Sequence, residues 1–302
     1  MSTTMRIGMD IGGTKVEAIA LDDSGAIAGH TRTATVPGAD GIIETAESIV
    51  AELARQTHRD PHDFASIGIG IPGQIDRAQG LVRHAVNVGI ESLPLASLLQ
   101  ERVGVPVTVD NDVTAAAIGA AHLMGLTGSV AYLNLGTGLA AGFVLDGRPL
   151  RGEHDTAGEI GHFAVDPLGR LCLCGQLGCL ETVASGSALK RFWAGAGEHP
   201  GRTLIPAIAA GDADAQQAFD NLVRGTATCV QLLGLTLDPG TIVIGGGLRL
   251  LGDPLFGAIT HQLDVWADRS PFIAQLQLSA RVQRLDDDSP AAAAGAALAA
   301  IR

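Results

Sequence analysis

Two apolar runs, each folded back on itself at a glycine turn, constrain this chain most. Met5–Ile11 and Val16–Leu21 are joined by Gly12-Gly13-Thr14-Lys15; later, Ser129–Leu135 and Leu139–Leu145 are joined by Gly136-Thr137-Gly138. Each unit reads as strand, tight turn, strand. Between and after them, strands alternate with helices. Ala26–Val36 reads as a third strand, and Ile42, Ala46, Ile49, Val50 and Leu53 recur at helical spacing within Gly41–Arg55. Strand Ser66–Ile71, helix Leu95–Arg102, strand Val105–Val109 and the alanine-rich helix Val113–Leu123 follow. The later half adds helix Asp212–Leu235, which Gly225 and Gly234 weaken, strand Thr241–Ile244 running into Gly245-Gly246-Gly247, and helices Pro254–Ala267 and Ala291–Ile301. This alternation predicts an α/β fold, and 302 residues suggest two domains. They are expected over 1–115 and 116–289, with a cleft between them of the kind that holds small molecules.

Composition removes several classes of function. The formal net charge is −12 and the only lysines are Lys15 and Lys190, which argues against nucleic acid and polybasic membrane contacts. Aromatic residues are 3% of the chain, too few for a base-stacking surface. The apolar run at 291–301 falls well short of the ~20 residues of a membrane span. The opening residues show no charged segment followed by an apolar one, so a cytoplasmic protein is expected.

The chemistry-bearing residues cluster around the turns. Glycines at 12, 13, 136 and 138 let backbone amides approach a phosphate, with Thr14 and Lys15 adding a hydroxyl and a charge. Asp10, ending the first strand, is placed to hold Mg²⁺ through water. Either glycine turn alone is equally an ordinary hairpin; two in corresponding places suggest a polyphosphate clamp. The 245–247 turn suits a nucleoside or is simply a tight connection. Asn111-Asp112, between a strand and a helix, is either a helix cap or a proton acceptor with a neighbour that orients the hydroxyl. Cys172, Cys174 and Cys179 with upstream His162 form a four-ligand set of the kind that closes around structural Zn²⁺. Glu159 and Glu181 flank these ligands. Cys229 stands apart in an apolar helix and is expected in the core.

Taken together, DIGGTK (10–15), VDND (109–112), LGTG (135–138), GEIGH (158–162), CLCGQLGCLE (172–181) and IVIGGG (242–247) resemble the ROK family of bacterial sugar kinases and repressors, in order and spacing over essentially the whole chain. The resemblance implies two ribonuclease-H-like domains of the actin/hexokinase type, with helix 290–302 packing back on the first. It implies ATP-dependent phosphorylation of a hexose at the 6-hydroxyl: glucose first, with N-acetylglucosamine, N-acetylmannosamine or mannose as alternatives. A sugar-sensing regulator without catalysis is the other branch, but nine residues ahead of Asp10 leave no room for a DNA-binding helix-turn-helix. By resemblance, Asp112 is the catalytic base. Asn87, Asn111, Asp112, Glu159, His162 and Glu181 bind the sugar. Asp10, Gly12, Gly13, Thr14, Lys15, Gly136, Thr137 and Gly138 surround the ATP phosphates and Mg²⁺, and Gly245 and Gly246 lie by the adenosine. His162, Cys172, Cys174 and Cys179 hold the structural zinc, and a homodimer or homotetramer is implied. Where the family has a glycine run after the second turn, this chain has Ala140 and Ala141, a departure whose effect on nucleotide binding the sequence leaves open.

Overall fold

The computed structural model describes residues 4–197 and 200–300. The chain opens with β1 (Met5–Ile11), β2 (Lys15–Asp22) and β3 (Ile27–Ala34), then α1 (Ala39–Thr57) and β4 (Ser66–Ile71). Three short strands follow: β5 (Gln74–Asp76), β6 (Leu81–Ala85) and β7 (Ile90–Leu93). Then come α2 (Leu95–Val103), β8 (Val107–Asn111) and α3 (Asp112–Leu123). The second glycine hairpin is β9 (Ser129–Leu135) and β10 (Leu139–Leu145), followed by β11 (Arg148–Pro149). Helices α4 (Gly186–Phe192), α5 (Pro200–Ala209) and α6 (Ala213–Thr236) precede β12 (Thr241–Gly245). The chain continues through α7 (Asp253–Arg269), α8 (Pro271–Gln275), α9 (Leu278–Arg281) and β13 (Val282–Arg284) to α10 (Ala291–Ala299). Among the described residues, no helix is long and apolar enough to cross a membrane.

Two five-stranded sheets organise these elements, in the orders β3-β2-β1-β4-β8 and β11-β10-β9-β12-β13. In each, an antiparallel hairpin is extended by parallel strands, as β1 with β4 and β9 with β12. The short strands β5, β6 and β7 form a third, antiparallel sheet that the sequence pattern did not reveal. The chain divides into one compact unit of residues 1–127, 142–156 and 289–302, and a second of 128–141 and 157–288. This differs from a cut at 115/116, which would split α3. Helix α3 belongs whole to the first unit because its partner is α10, and 142–156 joins that unit because Arg151 pairs with buried Asp110.

Glycine explains how the C-terminal helix fits there. A Cβ at Gly8 or Gly68 would lie 1.9 or 1.8 Å from a carbonyl oxygen of α10; one at Gly119 or Gly295 would lie 1.8 or 1.7 Å from a carbonyl of the facing helix. Gly8 and Gly68 are neighbours in the β1–β4 register, so together they make a flat patch on which α10 rests. The helix is built from alanine, glycine and one leucine, and it packs by backbone approach. On the opposite side of composition, α1 buries Ile42, Ile43, Ile49, Val50 and Leu53, each contributing about 1.5–3 kcal/mol when fully removed from water. Helix α6 runs unbroken through Gly225 and Gly234. A Cβ at either would lie 2.6 Å from Ala184 Cβ or 2.4 Å from Leu278 Cδ2, so both serve close packing within an unbroken helix.

Candidate active site

In the first unit, β1 carries Asp10 near its end, and the turn to β2 carries Gly12, Gly13 and Thr14, with Lys15 opening β2. A Cβ at Gly13 would lie 2.9 Å from the Asn87 carbonyl oxygen, so the structure sets exposed Asn87 directly against this turn. Asp10 pairs across the sheet with Gly70 of β4, and a Cβ at Gly70 would lie 3.4 Å from Asp112 Cα. Burial, then Asp112 and Glu17, push the Asp10 carboxyl up to about 7, against a lowering by Lys15.

Strand β8 delivers Asp110, Asn111 and then Asp112. The cap of α3 is Asn111, not Asp112. Asn111 is the N-cap of α3, its Oδ1 accepting from the amides of Val113 at 2.9 Å and Thr114 at 3.1 Å. A ligand would therefore meet its Nδ2. Asp112 is the first helical residue, half-buried, its Oδ1 accepting from Val113 N at 2.9 Å. The helix start favours its negative charge.

Two supporting acids escaped the sequence reading. Buried Asp110 pairs with Arg151 and, at 3.3 Å, with Arg77, and it accepts from Asn111 N at 3.0 Å, which fixes the strand end that presents Asp112. Its place inside VDND was the available signal. Buried Glu17 faces Asp10 across the hairpin; its Oε1 accepts from Arg32 Nε at 2.7 Å and meets His30 Nε2 at 2.9 Å, and its Oε2 lies 3.7 Å from Lys15 Nζ. Alternation placed Glu17 in a strand but did not reveal its partners.

In the second unit, Cys172, Cys174, Cys179 and His162 each offer one ligand atom, all within 4.8 Å of one another. Cys174 Sγ lies 3.6 Å from Cys179 Sγ, and Cys172 Sγ 3.7 Å from His162 Nδ1. The other ring nitrogen, Nε2, lies 3.9 Å from Glu159 Oε2. The Gln176 backbone amide, foremost, holds exposed Cys174 down to about 6, whereas burial, foremost, pushes Cys179 up to about 12. Gly178 has φ 72°, and a Cβ there would lie 1.7 Å from the Asp166 carbonyl oxygen, so only glycine closes this loop. Cys229 is buried in α6, away from the set.

Glu181 joins this cluster to the second glycine turn. Its Oε1 lies 4.0 Å from Cys172 Sγ, and its Oε2 accepts from Leu139 N at 3.0 Å. A Cβ at Gly138 would lie 2.6 Å from that same oxygen. The GEIGH segment packs on the same strand: a Cβ at Gly158 or Gly161 would lie 1.8 or 2.0 Å from a β10 carbonyl oxygen, and Ala141 N donates to Gly158 O at 2.8 Å. Amides of Gly186 and Ser187 donate to the carbonyls of Gly136 and Thr137. At the end of β12, Gly245 sits beside Asn134 in register, and a Cβ at Gly246 would lie 2.4 Å from the Leu135 carbonyl.

Two α/β units, each with a glycine-turn hairpin extended by parallel strands, are an architecture of the actin/hexokinase type. A model of the ROK family matches residues 6–302, and the chain belongs to that family. It is 33% identical over 289 residues to a glucokinase from Halalkalibacterium halodurans, covering 88% of this chain and 87% of the relative. It is also 33% identical over 299 residues to an N-acetyl-D-glucosamine kinase from Escherichia fergusonii, covering 93% of each. The crystal structure of a ROK family glucokinase from Streptomyces griseus, in complex with glucose and AMPPNP, matches with a TM-score of 0.80 and 32% identity over 98% of this chain and 99% of that one.

Proposed function

We propose that this chain transfers the γ-phosphoryl group of ATP to the 6-hydroxyl of a hexose, and that the hexose is glucose. The observation that carries the reading is Asp112: a carboxylate at the first turn of α3, relieved of capping by Asn111 and set beside the strand that bears Asp10 and the Gly12–Lys15 turn. Asp112 accepts the proton of the 6-hydroxyl as that oxygen bonds to the γ-phosphorus, and the bond to the β–γ bridging oxygen breaks to release ADP. Asn87, Asn111, Glu159, His162 and Glu181 hold the remaining hydroxyls. Amides of 12–15 and 136–138 meet the phosphates, and 245–246 the nucleoside. This division suits phosphoryl transfer, where positioning and electrostatics supply most of the acceleration.

Two metals belong to the proposal. A tetrahedral Zn²⁺ with Zn–S of ~2.3 Å and Zn–N of ~2.0 Å has ligand edges of about 3.8 Å between sulfurs and about 3.5 Å between sulfur and nitrogen. The separations of 3.6 and 3.7 Å fit that cage, so His162, Cys172, Cys174 and Cys179 would hold a closed, structural zinc. It would fix Glu181 and, through it, the Leu139 amide. Asp10, its carboxyl pushed up by burial and by neighbouring carboxylates, fits a hard divalent cation that would relieve that repulsion. Mg²⁺ bound with ATP would neutralise charge on the transferring phosphoryl group. As family members act in assemblies by resemblance, a homodimer or homotetramer is part of the proposal.

The similarity to an N-acetyl-D-glucosamine kinase supports N-acetylhexosamine as the second reading. A coupled ADP-release assay across glucose, mannose, N-acetylglucosamine, N-acetylmannosamine and fructose separates them. The highest kcat/KM is expected with glucose; a maximum with an N-acetylated sugar selects the second reading, and no turnover with any of them rejects both.

A further inference from the structure

Asn134 stands between the two glycine turns of the second unit, and neither the sequence motifs nor the proposed reaction gives it a task. Strand β9 places it two residues ahead of Gly136, and the parallel register places Gly245 of β12 beside it. A Cβ at Gly246 would lie 2.7 Å from Asn134 Oδ1, and one at Gly136 would lie 3.3 Å from Nδ2. The amide therefore touches both turns, each bare of side chain where it does so.

Its surroundings point to a ligand. Asn134 is half-buried, in a strand whose preceding four residues are fully buried. Among the described residues its amide makes no hydrogen bond. Tyr132, two residues earlier on the same face of the strand, brings its hydroxyl to 2.0 Å from where a Gly245 Cβ would sit, so it occupies the room that a side chain there would fill. A polar tip of this kind, partly withdrawn from water, loses hydrogen bonding unless a partner arrives. An amide offers a donor and an acceptor together, which match a hydroxyl better than an acceptor-only phosphate oxygen.

We infer that Asn134 is a specificity-determining contact for the phosphoryl donor, hydrogen-bonding a ribose hydroxyl of the nucleotide between the 136–138 and 245–247 turns. The inference rests on the reading that these turns hold ATP. It explains how the protein would distinguish a nucleoside triphosphate from a bare polyphosphate chain, which the glycine turns alone would accept equally.

The test compares wild type with Asn134→Ala and Asn134→Ser, using ATP, 2′-deoxy-ATP, 3′-deoxy-ATP and inorganic tripolyphosphate as donors. For Asn134→Ala the KM for ATP rises roughly three- to tenfold, in line with the loss of one hydrogen bond. Its kcat, its KM for the hexose and its melting temperature stay within roughly twofold or about 2 °C, the change expected for a residue outside the core. Wild type discriminates against one of the two deoxy nucleotides, Asn134→Ala does not, and Asn134→Ser recovers part of the difference. An unchanged KM for ATP, or discrimination that persists in Asn134→Ala, overturns the inference. So does a parallel fall in kcat and melting temperature, which marks a structural role. Direct titration with ATP keeps the two levels apart. Wild type that binds no ATP overturns the kinase reading, whereas equal binding by wild type and Asn134→Ala overturns only the role of Asn134.

Discussion

Replacing Asp10 by asparagine should make the protein more stable, and increasingly so as pH rises. The carboxyl has an ordinary value of 3.8 and is pushed up to about 7 in the fold, first by burial and then by Asp112 and Glu17. A raised folded value means that the native state holds the proton longer than the unfolded chain does. The associated stability is complete below about pH 4 and drains away as pH climbs toward 7. At about 1.4 kcal/mol per pH unit, the raised carboxyl costs about 2 kcal/mol at pH 5, where the fold keeps a proton that the unfolded chain has released, and roughly 4 kcal/mol at pH 8, where the folded carboxyl is mostly ionised. An asparagine side chain would keep the shape without the charge, so Asp10→Asn gains on the parent by about 2–3 kcal/mol between those pH values. Guanidinium titrations at pH 5, 6, 7 and 8, without nucleotide or magnesium, read this directly. Added Mg²⁺ and ATP should then stabilise the parent more than the variant at pH 8, because the charge that costs stability is the one that would hold the cation. A stability difference that stays constant across the four pH values, or a variant that is weaker at pH 8, refutes the reasoning.

The other expectations concern packing and the metal loop. Gly295→Ala should destabilise by about 1–3 kcal/mol, since its methyl would sit 1.7 Å from the Ala115 carbonyl oxygen, while Gly257→Ala in α7, with open space around it, should gain up to about 1 kcal/mol. Thermal melts of the two variants check the contrast, and equal effects would mean that α10 does not lie against α3 as described. Cys174→Ser should lose bound zinc by elemental analysis and open residues 158–181 to limited proteolysis, because a structural zinc contributes directly to folding. Protein purified without chelator and free of zinc would reject the metal assignment.

The parts of this molecule legible in the sequence are those written in local chemistry. The glycine hairpins at 12–15 and 136–138 appear because alternation and turn residues occur together, and the cysteine cluster appears because three thiols crowd a chain otherwise almost without them. Helix α1 announces itself through Ile42, Ile49 and Leu53. What stayed hidden depends on partners distant in the chain. Gly8, Gly68 and Gly119 look unremarkable until α10 is laid on them, and Gly225 and Gly234 read only as weak points of a helix because their contacts, Ala184 and Leu278, cannot be seen from α6 itself. The pairs of buried Asp110 with Arg151 and of buried Glu17 with Arg32 are likewise tertiary. Which of Asn111 and Asp112 caps α3 needed one residue of precision, and the amides of Val113 and Thr114 supply it by pointing to Asn111.

Single-turnover formation of glucose 6-phosphate by Asp112→Asn, beside wild type at saturating ATP and glucose, probes the central claim most directly. Wild type should form the product and the variant should be slower by several orders of magnitude, on the order of 10³-fold or more for the loss of a general base that is also part of the positioned site, while glucose binding is retained. A variant that phosphorylates glucose as fast as wild type would contradict the account.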